Sequence, residues 1–238
     1  LDLIDDSNPG IKKVMNKFFK QDDGLVVIGN ELENIMLASE IEYIIIKQDK
    51  RIYIDIGCNH HFLNNNTYLL YKRGWSGINI DIDFSSIDIF NFFRSNDVNL
   101  EIGVSNTKGE TDLYFFHNRA AKNTLSKELG SEAKNIKKIK TNTLNNIIEN
   151  SKFAEKKINF LSIDVEGYEL KVLQGFDLKK YKPDLIVLEF IQPNIKEFSQ
   201  QEINLVIESE LYKHMIKNDY KLINWIHADL VFVPNNSN

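Results

Sequence analysis

The chain has 238 residues, is 42% apolar and carries a net charge of −5. These values fit one large α/β domain with a substantial core and, with no concentrated basic face, argue against general nucleic-acid binding. Cys58 is the only cysteine, which excludes an intrachain disulfide and suits a reducing compartment; no apolar run reaches the length of a membrane span and no signal peptide is recognisable, so a cytoplasmic protein is expected.

Residues 1–28 mix Asp, Asn, Pro and Gly with one amphipathic patch, Ile11 to Phe19, and read as an N-terminal cap or extension. Residues 29–238 read as the main domain. The first Leu1 leaves room for a longer parent chain. Glu31 to Lys47 places Leu32, Ile35, Met36, Tyr43 and Ile46 at helical spacing. The run from Tyr53 to Asp55 reads as a buried strand that turns sharply at Gly57 into a helix over 62–73. A second strand is expected over 77–83, a helix over 86–94, a third strand over 98–104 and a further strand over 112–117. From Lys122 to Lys140 the apolar content falls and six lysines appear, which predicts a solvated helix and loop; the functional alternative is a mobile lid facing a phosphorylated or acidic substrate. A helix over 143–149, a buried strand over 158–164 and a helix over 169–174 stopped by Gly175 follow. Next come a fifth strand over 183–189, a long helix over 202–216 and a terminal hairpin, 221–225 with 230–233. The expected architecture is a Rossmann-like, mostly parallel sheet of about seven strands, helices on both faces, with an antiparallel C-terminal hairpin.

A buried strand turning into a helix is a ligand cradle, because the loop backbone offers unpaired N–H groups at the carboxyl edge of the sheet. The dinucleotide pattern G-x-G-x-x-G fails at two of three positions after Gly57, which hold Asn59 and Phe62. Asn tolerates the left-handed backbone of the turn, while close approach of a pyrophosphate is disfavoured. A ligand without a pyrophosphate fits better. S-adenosylmethionine (SAM) is such a ligand: its amino-acid end can lie against the loop from Asp55 to Asn59, and its ribose diol needs an acid at the end of the next strand. Asp81 stands there, about 25 residues after the loop.

At this point the chain resembles the FkbM-type SAM-dependent methyltransferases. The matching pieces are Tyr53-Ile54-Asp55-Ile56-Gly57-Cys58-Asn59, Asn66-Thr67, Gly74-Trp75-Ser76-Gly77-Ile78-Asn79-Ile80-Asp81 and Phe160-Leu161-Ser162-Ile163-Asp164-Val165-Glu166-Gly167-Tyr168-Glu169. Gly103-Val104-Ser105, Thr143-Leu144 and Leu230-Val231-Phe232 echo it more weakly. The resemblance spans roughly residues 30 to 234. It implies a class I methyltransferase fold and a set of cofactor-binding positions: Asp55, Gly57, Cys58, Asn59, Asn66, Thr67, Asp81, Ser105 and Asp164. It points to a sugar or natural-product acceptor, in a bacterium a surface-glycan precursor. Cys58 stands where relatives usually have Ala, and Tyr168 where many have His.

Methyl transfer requires an acceptor nucleophile aligned opposite the sulfonium, exclusion of water and uptake of the acceptor proton. Asp164 and Glu166, two residues apart where the fourth buried strand leaves the sheet, are the first candidates; a helix-dipole role is the alternative for Glu166 and Glu169. His60 and His61 beside the loop, and His117 at a strand end, are candidate bases, whereas His214 and His227 read as structural or exposed. Trp75, Phe84 and Phe92 read as core rather than as adenine-stacking residues. Asp164, Glu166 and Glu189 could supply oxygen ligands to a divalent cation, although no histidine set with diagnostic spacing supports a metal site. Asp81-Ile82-Asp83 also matches the D-x-D of many glycosyltransferases, and a non-catalytic binding module is a third reading.

Overall fold

The computed structural model describes residues 51–117, 122–191 and 202–235. The expected cap over 1–28 and the helix over 31–47 lie outside these residues.

Seven strands form the main sheet. Strands β1 (Ile52–Ile56), β2 (Ser76–Asp81) and β3 (Val98–Glu101) occupy one half. Strands β7 (Ile158–Ile163) and β8 (Leu185–Glu189) occupy the other, closed by β9 (Tyr220–Ile226) and β10 (Asp229–Pro234). Their order is β3-β2-β1-β7-β8-β10-β9, parallel up to β8 and antiparallel beyond it. All six residues of β7 are buried, as a central parallel strand covered on both faces requires. Side chains alternate between two layers. Ile54, Ile56, Ile78, Ile80, Leu161, Ile163, Ile186 and Leu188 pack on one face. Tyr53, Phe160, Leu185 and Val187 pack on the other. Each such aliphatic or aromatic side chain removed from water contributes about 1.5–3 kcal/mol, so this central stack is the main force holding the strands in register.

The first face is covered by α3 (Leu144–Glu149), α4 (Glu169–Gln174), α6 (Ile203–Glu208) and α7 (Glu210–Lys217), through Leu144, Ile147, Ile148, Val172, Leu173, Val206, Leu211 and Met215. A one-turn helix, α5 (Leu178–Tyr181), precedes β8. Across the sheet, α1 (Tyr68–Lys72) sets Leu70 against Tyr53 and Trp75, and α2 (Phe84–Phe93) sets Ile87 and Phe90 against Cys58.

Several elements differ from expectation. The helix expected from Phe62 begins only at Tyr68, because His60 Nδ1 accepts the Phe62 and Leu63 N–H groups and Asn64 adopts φ +46°, which consumes the first turn. The strand expected over 98–104 divides after Glu101, and β4 (Gly103–Val104) leaves the main sheet to pair with β6 (Asn135–Asn142). The lysine-rich segment is therefore not a helix and loop throughout: its second half is β6, antiparallel to β5 (Gly109–Phe115) in a second, three-stranded sheet. Cross-strand partners hold this exposed ribbon, since Lys138 lies opposite Asp112 and pairs with it at 2.6 Å, while Lys137 covers the Phe115 ring at 3.2 Å. The long helix expected over 202–216 is broken at Ser209, whose extended backbone ends α6 and whose hydroxyl accepts the Tyr212 N–H to cap α7. Of the three aromatics expected in the core, Trp75 is buried, but Phe84 and Phe92 are 64% and 79% exposed on α2.

Candidate functional site

The carboxyl ends of β1, β2 and β7 open on a crevice continuous with solvent. Its floor is the turn after β1. Gly57 has φ +80°, and a Cβ there would sit 1.7 Å from the Asp164 carbonyl oxygen. Glycine is thus required both by the left-handed backbone and by the approach of β7. Gly57→Ala is expected to force the two strand ends apart and lower the thermal midpoint by several degrees; an unchanged melting curve would show that the turn does not hold them together.

Asn59 continues the left-handed turn at φ +47° and donates its N–H to Asp81 Oδ2 at 2.8 Å. Asp81 Oδ1 accepts the Asp83 N–H, also at 2.8 Å. Both oxygens are thereby oriented, each with a lone pair to spare. Burial raises the Asp81 pKa, and the backbone N–H groups work against that rise. Asp83 itself is the N-cap of α2, its Oδ1 accepting the Ser85 N–H at 2.8 Å. Asp81 and Asp83 therefore do separate local work, which weakens the D-x-D reading.

Asp164 and Glu166 on the opposite wall belong to a carboxylate cluster completed by Glu189. Asp164, Glu166 and Glu189 bring ligand oxygens within 4.8 Å of one another, enough to share a proton or to hold a hard divalent cation. Glu166 sits at φ +54° and Gly167 at φ +84°. A non-glycine residue in that region costs about 1–2 kcal/mol, and the surroundings fix it there: Thr124 Oγ1 donates to the Glu166 carbonyl at 2.7 Å, and the Glu166 N–H donates to Glu189 Oε2 at 3.2 Å. Glu169 Oε1 accepts the N–H groups of both Val165 and Gly167 at 3.1 Å, so this residue braces the turn from below. Loss of water and mutual repulsion push the Glu166 carboxyl up to about 8 and that of Glu189 well above the carboxylate range; Asp164, exposed to the crevice but crowded by its wall, is raised as well.

Of the residues selected from sequence, Gly57, Asn59, Asp81, Asp164 and Glu166 line the crevice, with Tyr168 beside them. Ser105 lies behind the wall, buried, its hydroxyl 3.2 Å from the Tyr168 hydroxyl. Asp55 is also buried, its Oδ2 accepting from Thr67 Oγ1 at 2.7 Å and Asn65 Nδ2 at 3.0 Å, with its pKa raised to about 6 by burial. Asn66 Nδ2 donates to Ser162 Oγ, and Cys58 is buried under α2. None of Ser105, Asp55, Thr67, Asn66 and Cys58 lines the crevice.

The histidines stand elsewhere. His60 Nδ1 accepts backbone N–H groups, and His61 is buried and stacked on Phe93 with ring centroids 4.1 Å apart. Burial and the neighbouring cations lower the His61 pKa to about 4, which leaves it neutral. His117 is exposed beyond β5. None of the three lines the crevice, where the titratable side chains among the described residues are carboxyls and the Tyr168 phenol. Sequence reasoning weighed Glu189 only as a metal ligand, yet its signal is the one that marked Asp164, a carboxylate ending a buried apolar strand. Asn123 and Thr124 on the crevice wall, Asn65 and Arg94 carried no such signal.

Among the described residues, no helix is long and apolar enough to cross a membrane. No curated protein matches the chain. A family model described as the methyltransferase FkbM domain matches residues 55–221. That interval runs from Asp55, beneath the glycine turn, through Asp81 and the carboxylate cluster to the start of the terminal hairpin, and it covers well over half of the chain: the protein belongs to the FkbM methyltransferase domain family.

Proposed function

We propose that the protein is a SAM-dependent O-methyltransferase acting on a hydroxyl of a sugar, glycan precursor or natural product. The observation that carries this reading is the division of the crevice: an oriented carboxylate, Asp81, on one wall and the carboxyls of Asp164 and Glu166, clustered with Glu189, on the other. The crevice fits the cofactor. The turn at Gly57 leaves no room for a Cβ, Asn59 crosses over the floor, and Asp81 keeps free lone pairs for a ribose diol. When bound, SAM supplies a methyl group already activated on a sulfonium. The chain's own residues do the rest. Asp81 and the turn orient the nucleoside end, and the second wall orients the acceptor. An acceptor hydroxyl has a high pKa, so its proton must be taken up as the bond forms. The cluster suits that step because its three carboxyls bring oxygens within 4.8 Å of one another, so a proton taken up by one ionised member can be shared with its neighbours.

The test is calorimetric titration with SAM and S-adenosylhomocysteine, run beside UDP- and GDP-sugars with a divalent ion. Micromolar binding of the first two, unchanged by a chelator, is the expected result. Binding of a sugar nucleotide alone, dependent on the ion, would overturn it in favour of the D-x-D reading. Binding of SAM without turnover on any hydroxyl acceptor would leave a non-catalytic module.

A further inference from the structure

Arg94, at the C-terminal end of α2, is fully buried although no carboxylate among the described residues pairs with it directly. Its guanidinium reaches the segment that follows the glycine turn at three points. Nη1 donates to Thr67 Oγ1 at 2.8 Å, Nη2 to Asn65 Oδ1 at 2.8 Å, and Nη2 also to the His61 carbonyl. The rings of Phe90, Tyr71 and Tyr68 surround it, with centroids 4.8, 5.1 and 5.8 Å from its central carbon. Two of its partners pass the contact onward. Thr67 and Asn65 both donate to Asp55 Oδ2, and Asn65 donates also to the Cys58 carbonyl at 3.0 Å. On its far side Nη1 meets the Tyr53 hydroxyl at 3.4 Å, and that hydroxyl donates to Asp97. Asp97 in turn accepts the Gly77 N–H at 2.9 Å and Asn79 Nδ2 at 3.1 Å on β2. One side chain therefore links β1, β2, α2 and the 58–67 segment.

The energetics favour a positioning role. A buried cation is costly unless every neighbour is arranged to accept from it. Here the acceptors are a backbone carbonyl, an amide and a hydroxyl, all on the segment that shapes the crevice floor. The segment holds no regular helix before Tyr68 and adopts positive φ at Asn59 and Asn64, so side-chain contacts rather than a helical ladder fix its shape.

We propose that Arg94 is the positioning residue of the cofactor turn, fixing residues 58–67 from beneath in the conformation that binds the cofactor. The proposal rests on the SAM reading for its effect on binding, but its effect on the turn can be measured without ligand. Arg94→Lys keeps the charge and loses the planar fork that spans three acceptors. Amide hydrogen exchange across 58–67 in the ligand-free variant is expected to accelerate about tenfold or more, with 185–189 unchanged. The dissociation constant for S-adenosylhomocysteine is expected to rise about tenfold. Met215→Ala in α7, far from the turn, serves as a control of comparable thermal destabilisation and is expected to alter neither readout. Thr67→Val should reproduce part of both effects and add little to Arg94→Lys, and it carries the test alone if the Arg94 variant does not fold. Wild-type exchange in the turn of Arg94→Lys, or equal changes in Met215→Ala, would overturn the proposal. Failure of the wild-type protein to bind S-adenosylhomocysteine would overturn the SAM reading instead, and the exchange comparison would still decide the role of Arg94.

Discussion

Replacing Asp81 by Ala is expected to weaken S-adenosylhomocysteine binding about 100-fold or more. A carboxylate accepting two hydroxyls makes two charge-assisted hydrogen bonds, each worth about 1.5–3 kcal/mol, and every 1.4 kcal/mol is about a factor of ten. Part of the loss has a second origin, because Asp81 also accepts the Asn59 and Asp83 N–H groups and so ties the glycine turn to the end of β2. The two contributions separate with an analogue of S-adenosylhomocysteine lacking both ribose hydroxyls. Against the wild-type protein the analogue should bind about 100-fold more weakly than the parent compound. Against Asp81→Ala the two should bind alike, because the partner of the hydroxyls is gone. If the wild-type protein does not distinguish them, Asp81 is a brace of the turn and the ribose contact lies elsewhere.

The sequence revealed those parts of the site that rest on buried strands. β1, β2, β7 and β8 are buried strands rich in Ile, Leu and Val, and each ends at or next to an acid, Asp55, Asp81, Asp164 or Glu189, because the sheet edge is where a chain leaves the core and can again carry charge. Parallel pairing then brings three of those ends around one crevice. Gly57 and Asn59 were legible for a related reason, since a turn with positive φ admits few residue types. β6 was hidden. Most of its side chains are exposed, so no face imposes a hydrophobic period, and its pairing with β5 depends on partners some 20 to 30 residues away. Arg94 was hidden more deeply, because an arginine after Phe92 and Phe93 reads as a helix end in solvent and its burial is decided by Thr67, Asn65 and Tyr53 from distant segments. The histidines show the converse. Their nearness in sequence to the turn was correct, but side-chain direction follows from the backbone at 60–64, where two N–H groups claim His60 and the Phe93 ring claims His61.

The carboxylate cluster yields a prediction in which function and stability move in opposite directions. Asp164→Asn is expected to lower turnover about 10²–10⁴-fold, the usual worth of a positioned proton acceptor, while S-adenosylhomocysteine affinity changes little. Equal losses in both would place Asp164 on the cofactor instead. Stability should respond with the opposite sign. Glu166 and Glu189 bind protons more tightly in the folded chain than in the unfolded one, because burial and their neighbours disfavour the ionised forms. For such groups the folded state gains protons relative to the unfolded state, so stability is greatest below the ordinary carboxylate range and falls as pH rises from about 4.5 through about 8. Glu189→Gln removes the most strongly raised of these carboxyls while keeping a group of similar shape at the Glu166 N–H. Its thermal midpoint is therefore expected to exceed that of the wild-type protein at pH 8 and to approach it at pH 4.5, with turnover reduced at both. A variant less stable than wild type at pH 8 would mean that Glu189 is ionised and compensated there, by a cation held between the three carboxylates rather than by a shared proton. Adding and chelating a divalent ion during the same melts would then decide between those two states of the cluster.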